Sequence, residues 1–97
     1  MPRILPPLET FRFFEAAARH LNFTHAAGEM HVTHGAVSQR IKRLEEDLGT
    51  PLFRRSGRGM LLTDEGRRLM ERVRAALSEI TEGVEAIRSS EIGRAHV

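Results

Sequence analysis

The sequence predicts a mainly α-helical protein: a winged helix-turn-helix of three helices and a two-stranded β-hairpin wing, followed by a long linker helix. Three observations carry this. Apolar residues recur at 3/4 spacing in successive stretches. Thr24 and Thr33 each stand where a short helix would start, with only a brief interruption between them. Ser56-Gly57-Arg58-Gly59 then separates two short apolar-edged runs, the pattern of a hairpin. A chain of 97 residues suits one small domain with a helix left over.

The elements follow in order. Pro6-Pro7 precedes Leu8, Phe11, Phe14, Ala17, Ala18 and Leu21, one apolar face of a helix. Asn22 is expected as its left-handed stop, and Thr24 as N-cap of a short helix from His25 to His31 with Ala26, Ala27 and Met30 inward. Thr33 caps the third helix, whose stripe is Val37, Ile41, Leu44 and Leu48, with Gly35, Gln39, Lys42 and Glu46 opposite. Gly49 ends it and Pro51 prevents its resumption. Leu52–Arg55 and Met60–Thr63 form the hairpin. Thr63 caps the last helix, with Asp64 and Glu65 favourably placed in its first turn.

That last helix carries Leu69, Val73, Ala76, Leu77, Ile80, Val84 and Ile87 on one stripe, too long for so small a domain to cover. A partner helix is required, so Leu69, Val73, Leu77, Ile80, Val84 and Ile87 are assigned to dimerisation. Gly83 lies on the same stripe, either permitting two backbones to approach or weakening the helix by about 1 kcal/mol against Ala. The divisions drawn are 1–62 for the winged helix-turn-helix domain, 63–90 for the linker helix, and 91–97 for a tail expected to be non-native or disordered. Glu91–Val97 back-translates in one frame to GAGATCGGAAGAGCACACGTC, which resembles a common sequencing-adapter string.

Charge is distributed unevenly. All the basic residues except Lys42 are arginine; nine basic face six acidic residues through Met60, and six face seven from Leu61 onward. The third helix runs against its own dipole, with Arg40, Lys42 and Arg43 ahead of Glu45, Glu46 and Asp47. The pairs Lys42–Glu46 and Arg43–Asp47 would be the plain explanation, contributing ~0.3 kcal/mol each in this weaker orientation. Nucleic acid is the other.

Other functions find less support. Zero cysteine removes disulfides, thiol catalysis and Cys-ligated metal. His31 and His34 straddle a turn with no further ligand at metal spacing, so no metal is expected. No nucleophile–base pair, phosphate loop or paired carboxylate supports an enzyme. No apolar run reaches the ~18 residues of a membrane span and no signal peptide is read at Met1, so a cytoplasmic location is expected.

The order of the motifs is also familiar. LNFTHAAGEMHVTHGAVSQRIKRLEEDLGTPLFRRSGRGMLLTDEG resembles the N-terminal region of LysR-type transcriptional regulators, and RILPPLETFRFFEAAARHLNFTHAA is similar to the glycine-cleavage-operon activator subgroup. The likeness runs from about Arg3 to Ile87. The chain departs from it at His34, where a polar residue such as Gln is usual, and at Gly35. The resemblance implies binding of double-stranded DNA at an interrupted inverted repeat by homodimers, paired into tetramers in full-length members. It also implies a C-terminal domain, absent from this sequence, that binds a small-molecule effector; no cofactor is expected in the fragment itself.

Residue by residue, a recognition helix enters the major groove by its N-terminal end. His34, Gly35, Ser38 and Gln39 are then the candidates at base edges, Gln39 being able to pair bidentately with adenine. Thr24 and Thr33 can reach phosphate, with helix capping as their alternative role. Lys42 and Arg43 suit phosphate, while Arg40 could equally brace the domain. Arg54, Arg55 and Arg58 on the wing suit a minor groove or flanking phosphates, and the resemblance places the family's wing arginine at Arg55. Two rival functions remain: a protein-binding winged helix and a sequence-blind nucleoid-type DNA binder.

Overall fold

A computed structural model of the chain describes residues 5–95. Its elements are α1 (Leu8–His20), α2 (Phe23–Met30), α3 (His34–Leu48), β1 (Phe53–Ser56), β2 (Gly59–Leu62) and α4 (Asp64–Ala95). The first three helices pack on one another, the antiparallel hairpin closes one side, and α4 runs back across α1. The core they share is built from Phe13, Phe14 and Ala17 of α1, Ala26 of α2, Val37, Ile41 and Leu44 of α3, Leu52 and Phe53 at the hairpin, and Met70 and Val73 of α4. Phe53 ties the layers together, its ring meeting Phe14 at 5.7 Å and Phe23 at 5.5 Å, both edge-on.

The connections between helices differ from the sequence-based expectation by one or two residues, with a clear cause. Leu21, not Asn22, takes the left-handed position that ends α1 (φ 51°), and its N–H reaches the Ala17 carbonyl. Asn22 is thereby left extended, and its side-chain oxygen accepts from the His25 N–H at 2.9 Å. Asn22 is therefore the N-cap of α2, and Thr24, expected in that role, is an exposed residue of the first turn. An Asn can serve either as a left-handed stop or as a cap; here the cap prevails. Thr33 caps α3 as expected, accepting from Ala36 N–H at 3.1 Å, and Gly49 closes that helix at φ 73°.

On α3, Val37, Ile41 and Leu44 are buried, but Leu48 is 43% exposed because the helix has run past the core. Neither Lys42–Glu46 nor Arg43–Asp47 forms an ion pair among the described residues. The acids are instead divided by task. Glu45 is half-buried and accepts from the backbone N–H groups of Leu52 (2.7 Å) and Phe53 (3.2 Å), fixing where the hairpin begins. Arg40 braces α3 against α1: its guanidinium lies 4.8 Å from the Phe13 ring centroid, 3.5 Å from the Thr10 hydroxyl and 3.8 Å from Glu9.

Thr63 joins wing to linker. Its hydroxyl donates to the Pro51 carbonyl (2.8 Å) and accepts from Gly66 N–H (3.0 Å), and its own N–H reaches the Leu52 carbonyl (2.9 Å). Gly66 is buried so tightly that a Cβ would fall 2.2 Å from the Leu52 carbonyl oxygen. Helix α4 continues past the 90 boundary drawn from the sequence, to Ala95. Met70, off the expected stripe, joins Val73 in the core; Ile80, Val84 and Ile87 are 53%, 41% and 65% exposed.

At the α1–α2 surface Arg19 binds both Glu15 (2.8 Å) and Glu29 (2.6 Å), and His20 Nε2 meets Glu29 at 2.7 Å. Hydrogen bonds from Arg19, then His20, hold the Glu29 carboxyl down to about 2 from 4.5; those that Arg19 donates to Glu15, then Glu29, raise Arg19 further.

Gly66→Ala must displace backbone and is expected to cost on the order of 3 kcal/mol in urea denaturation. Gly83→Ala, whose Cβ meets nothing within 4 Å, should instead leave the same midpoint unchanged or raised, by up to about 1 kcal/mol. The Glu29 contribution is complete above pH 4.5 and is lost as pH falls toward 2, because its folded-state pKa is depressed. The stability gap between the parent chain and Glu29→Gln should therefore narrow across that window; a constant gap would contradict it.

Candidate nucleic-acid interface

The front of α3 is built to be presented. Thr33 satisfies one of the free N–H groups at its start, no acid occupies the first turn, and His34, Gly35 and Gln39 are exposed while Val37 and Ile41 anchor the back. The remaining unpaired N–H groups and the positive end of the dipole therefore face outward, an arrangement that favours anions. Gly35 is not demanded by packing: a Cβ there meets only the Thr33 hydroxyl, at 4.0 Å. Its bareness lets another molecule's surface come close to the helix backbone.

Beside this helix end lies a cleft of about 310 Å³, between the start of α2, the first turns of α3 and the hairpin. Five of the residues selected from sequence line it together: Thr24, His34, Ser38, Arg55 and Arg58. Asn22 and Phe23 line it too, and neither was selected. Phe23 packs its ring against His34, centroids 6.1 Å apart and tilted by 51°. An aromatic residue in a helix start reads as core, so nothing in the sequence marks Phe23 as a support for a surface histidine.

The other selected residues are placed differently. Gln39 and Lys42 are exposed on α3 but do not line the cleft. Arg43 turns toward α1, lining a separate cavity with Arg40, Asp47 and Glu9. Strand alternation sends Arg55, opposite Met60, to the cleft side and Arg54, opposite Leu61, to the outer face. Thr33 is engaged as a cap, while the hydroxyl of Thr24 is released from that duty by Asn22. None of Lys42, Arg43, Arg54, Arg55 or Arg58 makes an ion pair among the described residues, so their charge is available.

The residues selected for dimerisation divide in two. Val73 is consumed by the core and Leu69 and Leu77 are half-buried, whereas Ile80, Val84 and Ile87 lie exposed. An apolar groove of about 460 Å³ runs between α1 and α4, lined by Leu8, Phe11, Val73, Ala76, Leu77 and Ile80 among others. Among the described residues no group of three or more His, Cys, Asp or Glu is arranged to hold a metal ion. No helix there is long and apolar enough to cross a membrane.

Comparison with known proteins places this geometry. Residues 8–67 match the family model described as bacterial regulatory helix-turn-helix protein, lysR family. The chain is 47% identical over 89 residues to the glycine cleavage system transcriptional activator of Escherichia coli (strain K12), covering 92% of this chain and 29% of that protein. It is 49% identical over 87 residues to the HTH-type transcriptional regulator TrpI of Pseudomonas aeruginosa (82% and 30% covered). It is 54% identical over 70 residues to the HTH-type transcriptional activator AmpR of Citrobacter freundii (72% and 24%). The chain thus spans under a third of the length of these relatives. Among solved structures, the BenM DNA-binding domain in complex with benA site 1 DNA superposes with TM-score 0.79 at 29% identity, covering 86% of this chain and 93% of that one. The CbnR DNA-binding domain–DNA complex gives 0.75 at 29%, covering 88% and 98%.

Proposed function

The chain belongs to the LysR family of bacterial helix-turn-helix regulators, and we propose that it binds double-stranded DNA sequence-specifically, as a homodimer at an interrupted inverted repeat, to regulate transcription. The observation that carries this is the acid-free front formed jointly by the start of α3 and the wing, where Arg55 and Arg58 stand unpaired across a cleft from Ser38 and His34. In this reading α3 enters the major groove by its N-terminal end. Gln39 and Ser38 meet base edges there, and Gly35 lets the helix backbone approach. Lys42 holds phosphate from the next turn, and the wing arginines hold the flanking backbone or minor groove. Arg43 and Arg54 lie off this front and contribute mainly long-range attraction.

Dimerisation would use the apolar groove between α1 and α4 together with Ile80, Val84 and Ile87, since these surfaces have no cover among the described residues. Two α3 helices would then stand about one helical turn of DNA (roughly 34–36 Å) or a multiple apart. The relatives are transcription regulators, and we assign no enzymatic activity and no cofactor to this part. Effector sensing and pairing into tetramers would belong to the portion of the relatives that this chain does not span. A cytoplasmic location suits such a role.

Selection of bound duplexes from a random library, followed by titration, tests the reading. Gln39→Ala should cost on the order of 1–3 kcal/mol on the selected site and relax preference at one base position. Arg55→Ala and Lys42→Ala should weaken all duplexes evenly and each lower the salt slope by about 1. Equal affinity for selected and random DNA would instead mark a sequence-blind binder, and unchanged binding after both Gln39→Ala and Arg55→Ala would sink the assignment of this face. For assembly, Ile80→Glu with Val84→Glu should convert a dimer in sedimentation velocity to a monomer, with helix content retained; a parent chain already monomeric on the order of tens of micromolar would contradict the dimer.

A further inference from the structure

The cleft between α3 and the wing gives His34 a more specific role. Its ring is backed on one side by Phe23 and opens on the other toward the space shared with Ser38, Thr24, Arg55 and Arg58. His34 has no hydrogen-bond or ion-pair partner among the described residues, and it is exposed. Among the described residues the charged groups lining the cleft are Arg55 and Arg58, both from the hairpin; α2 adds only uncharged side chains, and no carboxylate lines it. A base edge carries hydrogen-bond donors and acceptors but no net charge. A cleft with two guanidinium groups, two hydroxyls and an imidazole is matched instead to a phosphodiester.

We infer that His34 is a backbone contact rather than a base reader, forming with Arg55 and Arg58 a subsite for one DNA phosphate, and that it takes up a proton when that phosphate is seated. The inference rests on the DNA-binding reading above and deepens it. A phosphate seated within the cleft would favour the imidazolium over the neutral ring. Because the complex binds the extra proton, binding strengthens as pH falls and weakens as pH rises, over the range in which histidine ordinarily changes charge, about pH 5–8. His20 is held at Glu29, and His25 and His31 do not line the cleft, so among the described residues the effect belongs to one histidine per copy.

The test is fluorescence anisotropy at fixed ionic strength with two probes, a random-sequence duplex pool and a duplex selected from a random library. The parent chain should lose affinity for both probes between about pH 6 and pH 8, on the order of fivefold for each bound His34. His34→Gln should abolish that dependence on both probes while leaving the ratio between them unchanged, and Arg55→Gln should lower the salt slope but keep the pH dependence. The proposal is overturned if His34→Gln retains the parent's pH dependence. It is equally overturned if the dependence occurs only on the selected duplex, or if the variant changes base preference, because His34 would then read bases. Binding of neither probe by the parent chain at any of these pH values would defeat the DNA-binding reading itself, an outcome distinct from the others.

Discussion

The peptide of Leu52 is gripped from two directions, and the geometry of the whole molecule depends on that grip. Its N–H is taken by the Glu45 carboxylate of α3, and its C=O by the Thr63 N–H, with Gly66 pressed against the same oxygen. One residue thus connects the reading helix, the wing and the linker helix. Burial of the Leu52 side chain at 1% exposure alongside Phe14 and Leu44 gives the grip a hydrophobic anchor. A carboxylate accepting two backbone N–H bonds is stronger than a neutral cap would be, which suits a junction where three elements diverge.

That contact also explains part of the inverted charge order of α3. Glu45 stands late in the helix because the loop returning from Gly49 passes there and needs an acceptor. Arg40 stands early and inward because α1 offers it Phe13, Thr10 and Glu9. Removing these two from the tally leaves Lys42 and Arg43 ahead of Glu46 and Asp47, with no intrahelical ion pair closed among them. The helix therefore forgoes the few tenths of a kcal/mol that a dipole-matched order would supply. What it gains is an N-terminal half without acid beside a wing whose cleft is also without acid.

The elements and most of their termini were legible in the sequence because helical periodicity, Gly49, Thr33 and the Gly57 turn are local signals. The misreading at Asn22 is also local: Asn competes for both the stop and the cap, and only the packing of α1 on α2 decides between them. Less legible was everything set by contacts between distant residues. Glu45 looked like one acid among three until Leu52 was beside it, Gly66 looked like part of a helix start, and Met70 lay off the stripe. The same division holds at the interface. Residue type marked Thr24, His34, Ser38, Arg55 and Arg58 as candidates, but strand alternation and helix phase decided that Arg54 and Arg43 face elsewhere. Phe23 carried no signal because support of a surface ring and membership of a core look alike in sequence.

The linker helix gains its meaning from where it is fixed. Its first turn is clamped by Thr63 and Gly66, Met70 and Val73 hold the next turns to the core, and from Ile80 the apolar face is uncovered. An uncovered face on a rigidly rooted helix differs from one on a flexible tether, because a partner docking there inherits a defined orientation relative to α3. In a symmetric dimer, any rotation of α4 at its root would be doubled at the two reading helices, whose separation must match the pitch of DNA. Close backbone packing at Gly66, where no side chain fits, is a stiffer joint than a loop could be. The glycine that bars a Cβ at the root of α4 thus fixes the angle between that helix and the start of the hairpin.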